Sequence, residues 1–478
     1  MRVSGTFGDR TVGLLARCSL ERAAVSVSTG ACRVDAAAGS YARRTPEQSV
    51  LYLVVREHLE TFLTMVREER GKDLPHYVEQ ELRRFLRCGV LAHGFLRVAC
   101  LECGEEIIVA FSCKCRGACP SCSARRMCGT AAHLVDRVMP VDVAVRQWVL
   151  TVPHEVRRLL ALRPAALTGC GRIFVEELAR WQKQAAKARG IDGGETGAVT
   201  FVQRFNSMLG CFVHFHLVVP DGVFTRTSKD AAAATFHRGP APSRQDIAAV
   251  AARVELRMTR WLRRRGFVDE RPEEERSNET AEPSPLEVCM QLSLFGGTFL
   301  CLDDDGTPVP VASPRARAGN NSPWAAETGG FNVHAGVTVD ATDREGLERL
   351  LRYGARPAFS SERLSLLPDG RVAYLLRRPR SNGATHLVLD PIVFLARIAS
   401  LNGTAVRTWT SMRFISSSCS SRYASAMLRI RPRRSFRLRT CSESTSTSLK
   451  RPRKTFSIIR CRASAPTVGF DRNASNSG

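Results

Sequence analysis

A chain of 478 residues has room for two to four domains at roughly 100–200 residues each. Hydrophobic residues make up 44% of it, enough for ordinary cores, and no apolar run approaches the roughly 18–20 residues needed to cross a bilayer, so an integral helical membrane protein is excluded. The net charge of +24 favours a polyanionic partner such as nucleic acid, but residues 401–478 alone hold 16 basic and 2 acidic groups, so that inference must rest on sites and not on charge.

Residues 1–44 contain Arg and Ser with few acids and read as an unstructured extension, a transit peptide being the alternative. Order is expected from Thr45-Pro46-Glu47, where an N-cap residue and a proline precede Val50, Leu51, Val54, Leu59, Phe62, Leu63 and Val66 at helical spacing. A second amphipathic helix is expected from Pro75 to Cys88, stopped at Gly89, and two short strands between Phe95 and Phe111. Helix returns from Pro120 to Met139, followed by a strand at Trp148–Val152, two helical stretches reaching Arg189, and a glycine linker.

Strands are then expected at Val199–Phe205 and Phe212–Val219, with Asp221-Gly222 turning the second into Val223–Thr225 as a hairpin. A basic helix follows over Ser243–Arg265, and the stretches near 228–242, 270–287 and 314–330 read as loops or insertions. Phe331–Val339 is expected as a strand, Asp343–Tyr353 as a helix, Leu364–Leu376 as a hairpin turned at Pro368-Asp369-Gly370, and Asp390-Pro391 as the start of a last helix closing at Asn402. Residues 403–478, with 16 Ser in the last 78 positions, show no sustained periodicity and are expected to be disordered.

Seventeen cysteines, an odd number without a hydrophobic signal region, argue for reduced thiols or metal ligands over a disulfide scaffold. Eight of them fall between Cys88 and Cys128, and Cys100-Leu-Glu-Cys103 and Cys119-Pro-Ser-Cys122 form two C-x-x-C pairs 15 residues apart, the spacing of a zinc ribbon. Such a four-thiolate Zn²⁺ site is closed and therefore structural; a redox pair is the alternative. Cys88, His93, Cys113, Cys115 and Cys128 are left as members of a second site or bystanders.

In Phe212-Val-His214-Phe-His216 the two imidazoles lie two apart on a β pattern, so they share one sheet face and can share one cation, or simply pack there. Of six tyrosines, three follow this pair, at 353, 374 and 423. Tyr353 stands in a helix flanked by Arg349, Arg352 and Arg356, which could hold a phosphate beside it.

The run Gly197-Ala-Val-Thr-Phe-Val-Gln203-Arg-Phe-Asn206, with His214-Phe-His216 and Asp221-Gly-Val-Phe224, resembles the metal-binding core of the HUH transposases of rolling-circle insertion sequences. Leu51–His58, Cys88–Gly94, Ser112–Cys122 and Ala124-Arg-Arg126 resemble the family's N-terminal transposase zinc-binding domain. His334-Ala-Gly336, Leu347–Tyr353, Arg356-Pro357 and Thr385–Pro391 are also similar to it, so the resemblance covers about residues 43–402.

The resemblance implies an α+β protein: a helical and zinc-ribbon DNA-binding domain over 45–140, and over 141–402 an HUH nuclease domain built on an antiparallel sheet with helices. It implies that Tyr353 attacks a phosphorus in single-stranded DNA, leaving a 5′-phosphotyrosine and a free 3′-OH, with Arg356 beside it and Mg²⁺ or Mn²⁺ on His214, His216 and a third ligand for which Gln203 is the candidate. Two-tyrosine members carry a second tyrosine one helical turn earlier; here that position is Arg349, so the chain reads as a one-tyrosine variant. A plasmid relaxase or replication initiator using the same chemistry, or a decayed zinc DNA-binding protein, are the alternatives. The partners implied are single-stranded DNA and element ends, with no membrane, and the place of action is the bacterial cytoplasm at the nucleoid. The oligomeric state is left open.

Overall fold

The computed structural model describes residues 44–100, 106–226, 234–268, 284–295, 297–302, 308–309, 322–401, 409–411, 447–451 and 454–461. After a single 3₁₀ turn at Pro46–Gln48 come α1 (Val50–Arg70), α2 (His76–Phe85), β1 (Phe95–Cys100), β2 (Glu106–Ala110) and α3 (Pro120–Arg137). Next are β3 (Val145–Thr151), α4 (His154–Leu162), α5 (Pro164–Lys187), β4 (Ala198–Phe205), β5 (Cys211–Pro220), β6 (Gly222–Thr225), β7 (Thr235–Arg238) and α6 (Arg244–Arg264). The chain continues through α7 (Pro285–Phe295), β8 (Thr298–Leu302), β9 (Pro308–Val309), β10 (Ala325–Thr328), β11 (Phe331–Val339) and α8 (Arg344–Gly354). It closes with β12 (Leu364–Leu366), β13 (Val372–Leu375), β14 (His386–Leu389), α9 (Pro391–Leu401), β15 (Trp409–Ser411), β16 (Thr447–Arg451) and β17 (Lys454–Cys461). The expected α+β class is what is found.

The chain divides into two units. The smaller is built on an antiparallel sheet in the order β16-β17-β1-β2. At the base of its β1–β2 hairpin, the Gly89 N–H donates to the Phe111 carbonyl and the Phe111 N–H to the Gly94 carbonyl.

The larger unit centres on a six-stranded antiparallel sheet in the order β10-β11-β3-β5-β4-β15. β5 has partners on both edges, and the pleat sends its side chains alternately to two buried faces. Val213, Phe215, Leu217 and Val219 join Trp148 and Leu150 in a core covered by α4, α5 and α6, where Phe174, Val250 and Met258 are buried. Val218 joins Val145, Val199 and Phe201 in a second core closed by α3 and α8 through Leu134, Leu347 and Leu351. His214 and His216 belong to that second face. A further antiparallel sheet runs β12-β13-β14-β8-β9.

Several expectations are corrected. β5 does not turn back into β6, because β3 and β4 already occupy both of its edges; β6 leaves the sheet and pairs with β7. Gly222 is required there, since a Cβ would lie 2.1 Å from the His237 carbonyl oxygen. The stretch 314–330 is not all loop: β10 pairs with β11 across Gly329-Gly330, both at positive φ (54° and 77°), a two-residue hairpin turn that glycine permits. The stretch 270–287 lies outside the described residues up to 283, beyond which Ser284 precedes α7, and 234–242 carries β7. At the first helix, Pro46 starts a 3₁₀ turn, and it is Ser49 Oγ that accepts from the Tyr52 N–H at 3.3 Å. The extensions 1–43 and 403–478 lie outside the described residues apart from β15, β16 and β17, which are strands within the expected disordered tail.

Asp221, at the end of β5, accepts a bidentate pair from Arg146 of β3, Nε to Oδ1 at 2.9 Å and Nη2 to Oδ2 at 3.1 Å. Arg146 Nη1 donates to the Ala335 carbonyl of β11 at 3.1 Å, inside the β-bulge between His334 and Val337. Both side chains are buried, so this fork fastens three strands in register. Asp221→Leu leaves Arg146 charged and unpaired, and should cost about 3–5 kcal/mol of stability in urea unfolding, most of it recovered in the Arg146→Met/Asp221→Leu double variant. A loss below about 1 kcal/mol in the single variant would show that the fork does not hold the sheet.

Candidate active site and cysteine cluster

The pairing register places Thr151 of β3 and Gln203 of β4 on either side of His214, and Val149 and Phe201 on either side of His216. Phe212, His214 and His216 therefore form a row on one face, with ring centroids 5.5 Å and 4.8 Å apart. Tyr353, near the end of α8, continues the row: its ring lies 5.5 Å from that of His216 at 85°. α8 can come this close because residue 354 is glycine, whose Cβ would lie 2.5 Å from the Phe201 ring.

Burial holds both imidazoles neutral. His214 is pushed down to about 4, mainly by desolvation and further by the charges of Arg356 and Arg157, against a raising effect of its bond to the Phe212 carbonyl. His216 is pushed down to about 3 by desolvation, His214 and Arg356. His214 Nδ1 donates to the Phe212 carbonyl at 2.9 Å, which leaves Nε2 with its lone pair free. His216 is 3% exposed, and neither of its ring nitrogens has a hydrogen-bond partner. A buried imidazole with two orphaned nitrogens beside a second neutral imidazole is a donor set that fits a divalent ion. Among the described residues no carboxylate, cysteine or third histidine joins the pair as a metal-binding group of three.

The other expected site residues are close by, in different roles. The Gln203 amide donates to the Tyr353 and Gly354 carbonyls at 2.8 Å and 3.2 Å, and its oxygen accepts from Arg356 Nη2 at 3.3 Å. It is thus committed to the end of α8. The Arg356 guanidinium sits 4.6 Å from the Tyr353 ring centre and 5.1 Å from that of Phe205. Arg349 and Arg352 instead pair with acids of their own segment, Asp343, Glu345 and Glu348. Of the downstream tyrosines, Tyr353 is 41% exposed and Tyr374 3%; Tyr423 lies outside the described residues. Sequence reasoning missed Arg157 and Phe212, which flank His214 on the side away from Tyr353; the β alternation of even positions in β5 could have pointed to Phe212.

The sulfurs of Cys88, Cys113, Cys119 and Cys122 all lie within 4.8 Å of one another. Four sulfurs at the Zn–S distance of about 2.3 Å stand about 3.8 Å apart in a tetrahedron, so these thiols fit Zn²⁺. Cys119 caps α3, accepting from the Cys122 N–H, and Cys88 accepts from the Cys113 N–H at 3.4 Å, bonds that favour thiolates. Cys119 and Cys122 are the expected pair. Cys88 and Cys113, left open in the sequence as a second site or bystanders, complete the group; the expected ligand Cys103 and the side chain of Cys100 lie outside the described residues. The loop leading into α3 is gripped by Glu81 of α2, whose carboxylate accepts from the N–H groups of Arg116, Gly117 and Ala118.

A family model described as a transposase zinc-binding domain matches residues 54–152, a stretch that contains all four thiols. A second, described as "Putative transposase", matches residues 197–402, which contains the histidine pair and Tyr353. The chain carries both domains of a transposase. Neither a curated protein nor a solved structure matches it. As a transposase it acts on DNA, and its zinc-binding domain precedes the transposase domain. No described helix is long and apolar enough to cross a membrane.

The thiol geometry generates a test of which cysteines hold the metal. Cys88→Ser or Cys119→Ser in the full transposase should lose the single zinc and lower the melting temperature, because metal binding contributes folding free energy directly. Cys103→Ser should keep the zinc. Metal analysis finding zinc lost in Cys103→Ser and kept in Cys88→Ser would reverse the ligand set.

Proposed function

We propose that this transposase moves a rolling-circle insertion sequence, cutting and joining single-stranded DNA through a 5′-phosphotyrosine on Tyr353. The observation that carries the reading is the one row of rings in which an exposed tyrosine from α8 stands against the neutral His214–His216 pair of β5. In the proposed step the Tyr353 oxygen bonds to phosphorus, the bond from phosphorus to the 3′ oxygen breaks, and that oxygen leaves as a 3′-OH carrying a proton. The reverse attack by a 3′-OH rejoins DNA and frees the tyrosine, so the energy of the phosphodiester is conserved in the ester.

His214 and His216 would hold Mg²⁺ or Mn²⁺, which when bound polarises the scissile phosphate and offsets charge on its oxygens. The chain's own residues do the rest. Arg356, lowered by burial yet still cationic, lies against the Tyr353 ring and supplies a fixed positive charge where the phosphate must sit. Gln203, the expected third ligand, serves through its bonds to the Tyr353 and Gly354 carbonyls by fixing the tyrosine beside the histidines. Arg349 stands exposed one turn before Tyr353, so a single tyrosine carries the nucleophile role. The cysteine site, with Arg116 and Arg125 nearby in the sequence, is read as structural support for binding element-end DNA, and the reaction as one at the bacterial nucleoid in the cytoplasm.

Incubating the protein with single-stranded DNA of the element ends and Mn²⁺ should give a covalent adduct that survives denaturing electrophoresis. Tyr353→Phe, which keeps the ring and loses the oxygen, should abolish the adduct while DNA binding and zinc content stay intact. His216→Ala should reduce adduct formation by at least about a hundredfold with folding preserved. An adduct undiminished in Tyr353→Phe would transfer the role to another residue and refute the assignment.

A further inference from the structure

The row of rings ends in an arginine at each side. Beyond Tyr353 lies Arg356; beyond Phe212 lies Arg157 of α4, its guanidinium carbon 4.1 Å from the centre of the Phe212 ring. Arg157 is fixed as well as placed, since its Nε donates to the Val152 carbonyl at 2.7 Å and its flat face rests on Phe212. Among the described residues neither Nη group has an acceptor and no carboxylate is in ion-pair contact with it, Glu155 acting only through its charge from farther off. Its neighbour Arg158 shows the contrast, donating to Glu287 at 2.8 Å.

An arginine half-buried without an anion is costly unless an anion arrives, and a guanidinium whose Nε is already tied presents its two Nη groups as a fork suited to phosphate oxygens. Phe212 shares the histidines' face with its ring 5.5 Å from that of His214, so a guanidinium seated on Phe212 stands beside the histidine pair. Phe212 is two residues before His214 on the strand, about 6.6 Å along it. This step is comparable to the spacing of successive phosphates along an extended single strand of DNA. A strand whose scissile phosphate lies between Tyr353 and the histidines, and which runs along β5, therefore brings its next phosphates over Phe212.

We propose that Arg157, seated on Phe212, binds a backbone phosphate of the DNA strand next to the scissile one, and so sets the direction in which the strand crosses the site. The proposal rests on the phosphotyrosine reading for the position of the scissile phosphate, but the contact itself is a binding contact. It gives the site two cationic ends, Arg356 at the cut and Arg157 beyond the histidines. It also explains why an aromatic residue stands at position 212: its ring holds the fork in place.

The test is the salt dependence of binding of a fluorescent oligothymidylate to the full chain carrying Tyr353→Phe, measured by anisotropy without added divalent metal. Each phosphate contact to single-stranded DNA contributes roughly 0.7 to the slope of log K against log salt. Arg157→Gln should lower that slope by roughly 0.7 and weaken binding severalfold at low salt, and Arg157→Lys, which keeps the charge, should restore the slope. An unchanged slope in Arg157→Gln, or equal weakening by Gln and Lys with the slope intact, would overturn the proposal, because a purely structural arginine would behave in that way. The covalent adduct assay on the otherwise unmodified chain separates the two ideas. A slope that falls in a protein that forms no adduct supports the phosphate contact and rejects the chemistry, whereas an adduct with an unchanged slope does the opposite.

Discussion

The architecture of the site depends on the confinement of β5. The strand is hydrogen-bonded on both edges, to β3 and β4, and covered on both faces by helices. A shift of one residue would carry Val213, Phe215, Leu217 and Val219 out of their core and drive the two histidines into it. Burial of those four side chains, at about 1.5–3 kcal/mol each, therefore fixes which way the imidazoles face. The Arg146–Asp221–Ala335 fork then ties the same strand to β11 at its far end.

The second half of the site follows from that face. Phe201 and Val218 beside the histidines require a cover, and α8 supplies it with Leu347, Leu350 and Leu351. Glycine at 354 lets the helix approach the sheet, Gln203 pins its last carbonyls, and Tyr353 is left half-exposed above the neutral imidazoles. The same contacts that close a hydrophobic core thus bring the Tyr353 phenol and two neutral imidazoles, far apart in sequence, into one row. The cationic residues at the ends of that row are what a polyanion would meet.

Much of this was legible in the sequence, for reasons that differ by element. The shared face of His214 and His216 follows from the two-residue period of a strand, and the helix of Tyr353 from its apolar spacing after Asp343. The thiol site was half legible. Cys119-Pro-Ser-Cys122 starts a helix and stays local, whereas Cys88 and Cys113 meet because the base of the β1–β2 hairpin brings the residues before β1 beside those after β2. Spacing alone could not show that Cys88 and Cys113 would meet, since strand pairing brings them together. The hairpin expected after β5 failed for a related reason: both of the strand's edges were already taken by segments distant in sequence. The Gly329-Gly330 turn, by contrast, was a readable signal between two β-patterned runs. Gln203 is a different case again. Its residue type suits a ligand, and only the position of the helix end shows that its amide has other work.

The central proposal is that Tyr353 stands beside a metal site held by the histidine pair, and paramagnetic broadening tests it most directly. The chain contains six tyrosines, so 3-fluorotyrosine labelling gives a small set of ¹⁹F signals, with that of Tyr353 assigned from the Tyr353→Phe variant. Titration with Mn²⁺ should broaden the Tyr353 signal first and most strongly, and the effect should vanish in a His214→Ala/His216→Ala variant. A Tyr353 signal that stays sharp while Mn²⁺ binds, or one that still broadens without the two histidines, would contradict the account.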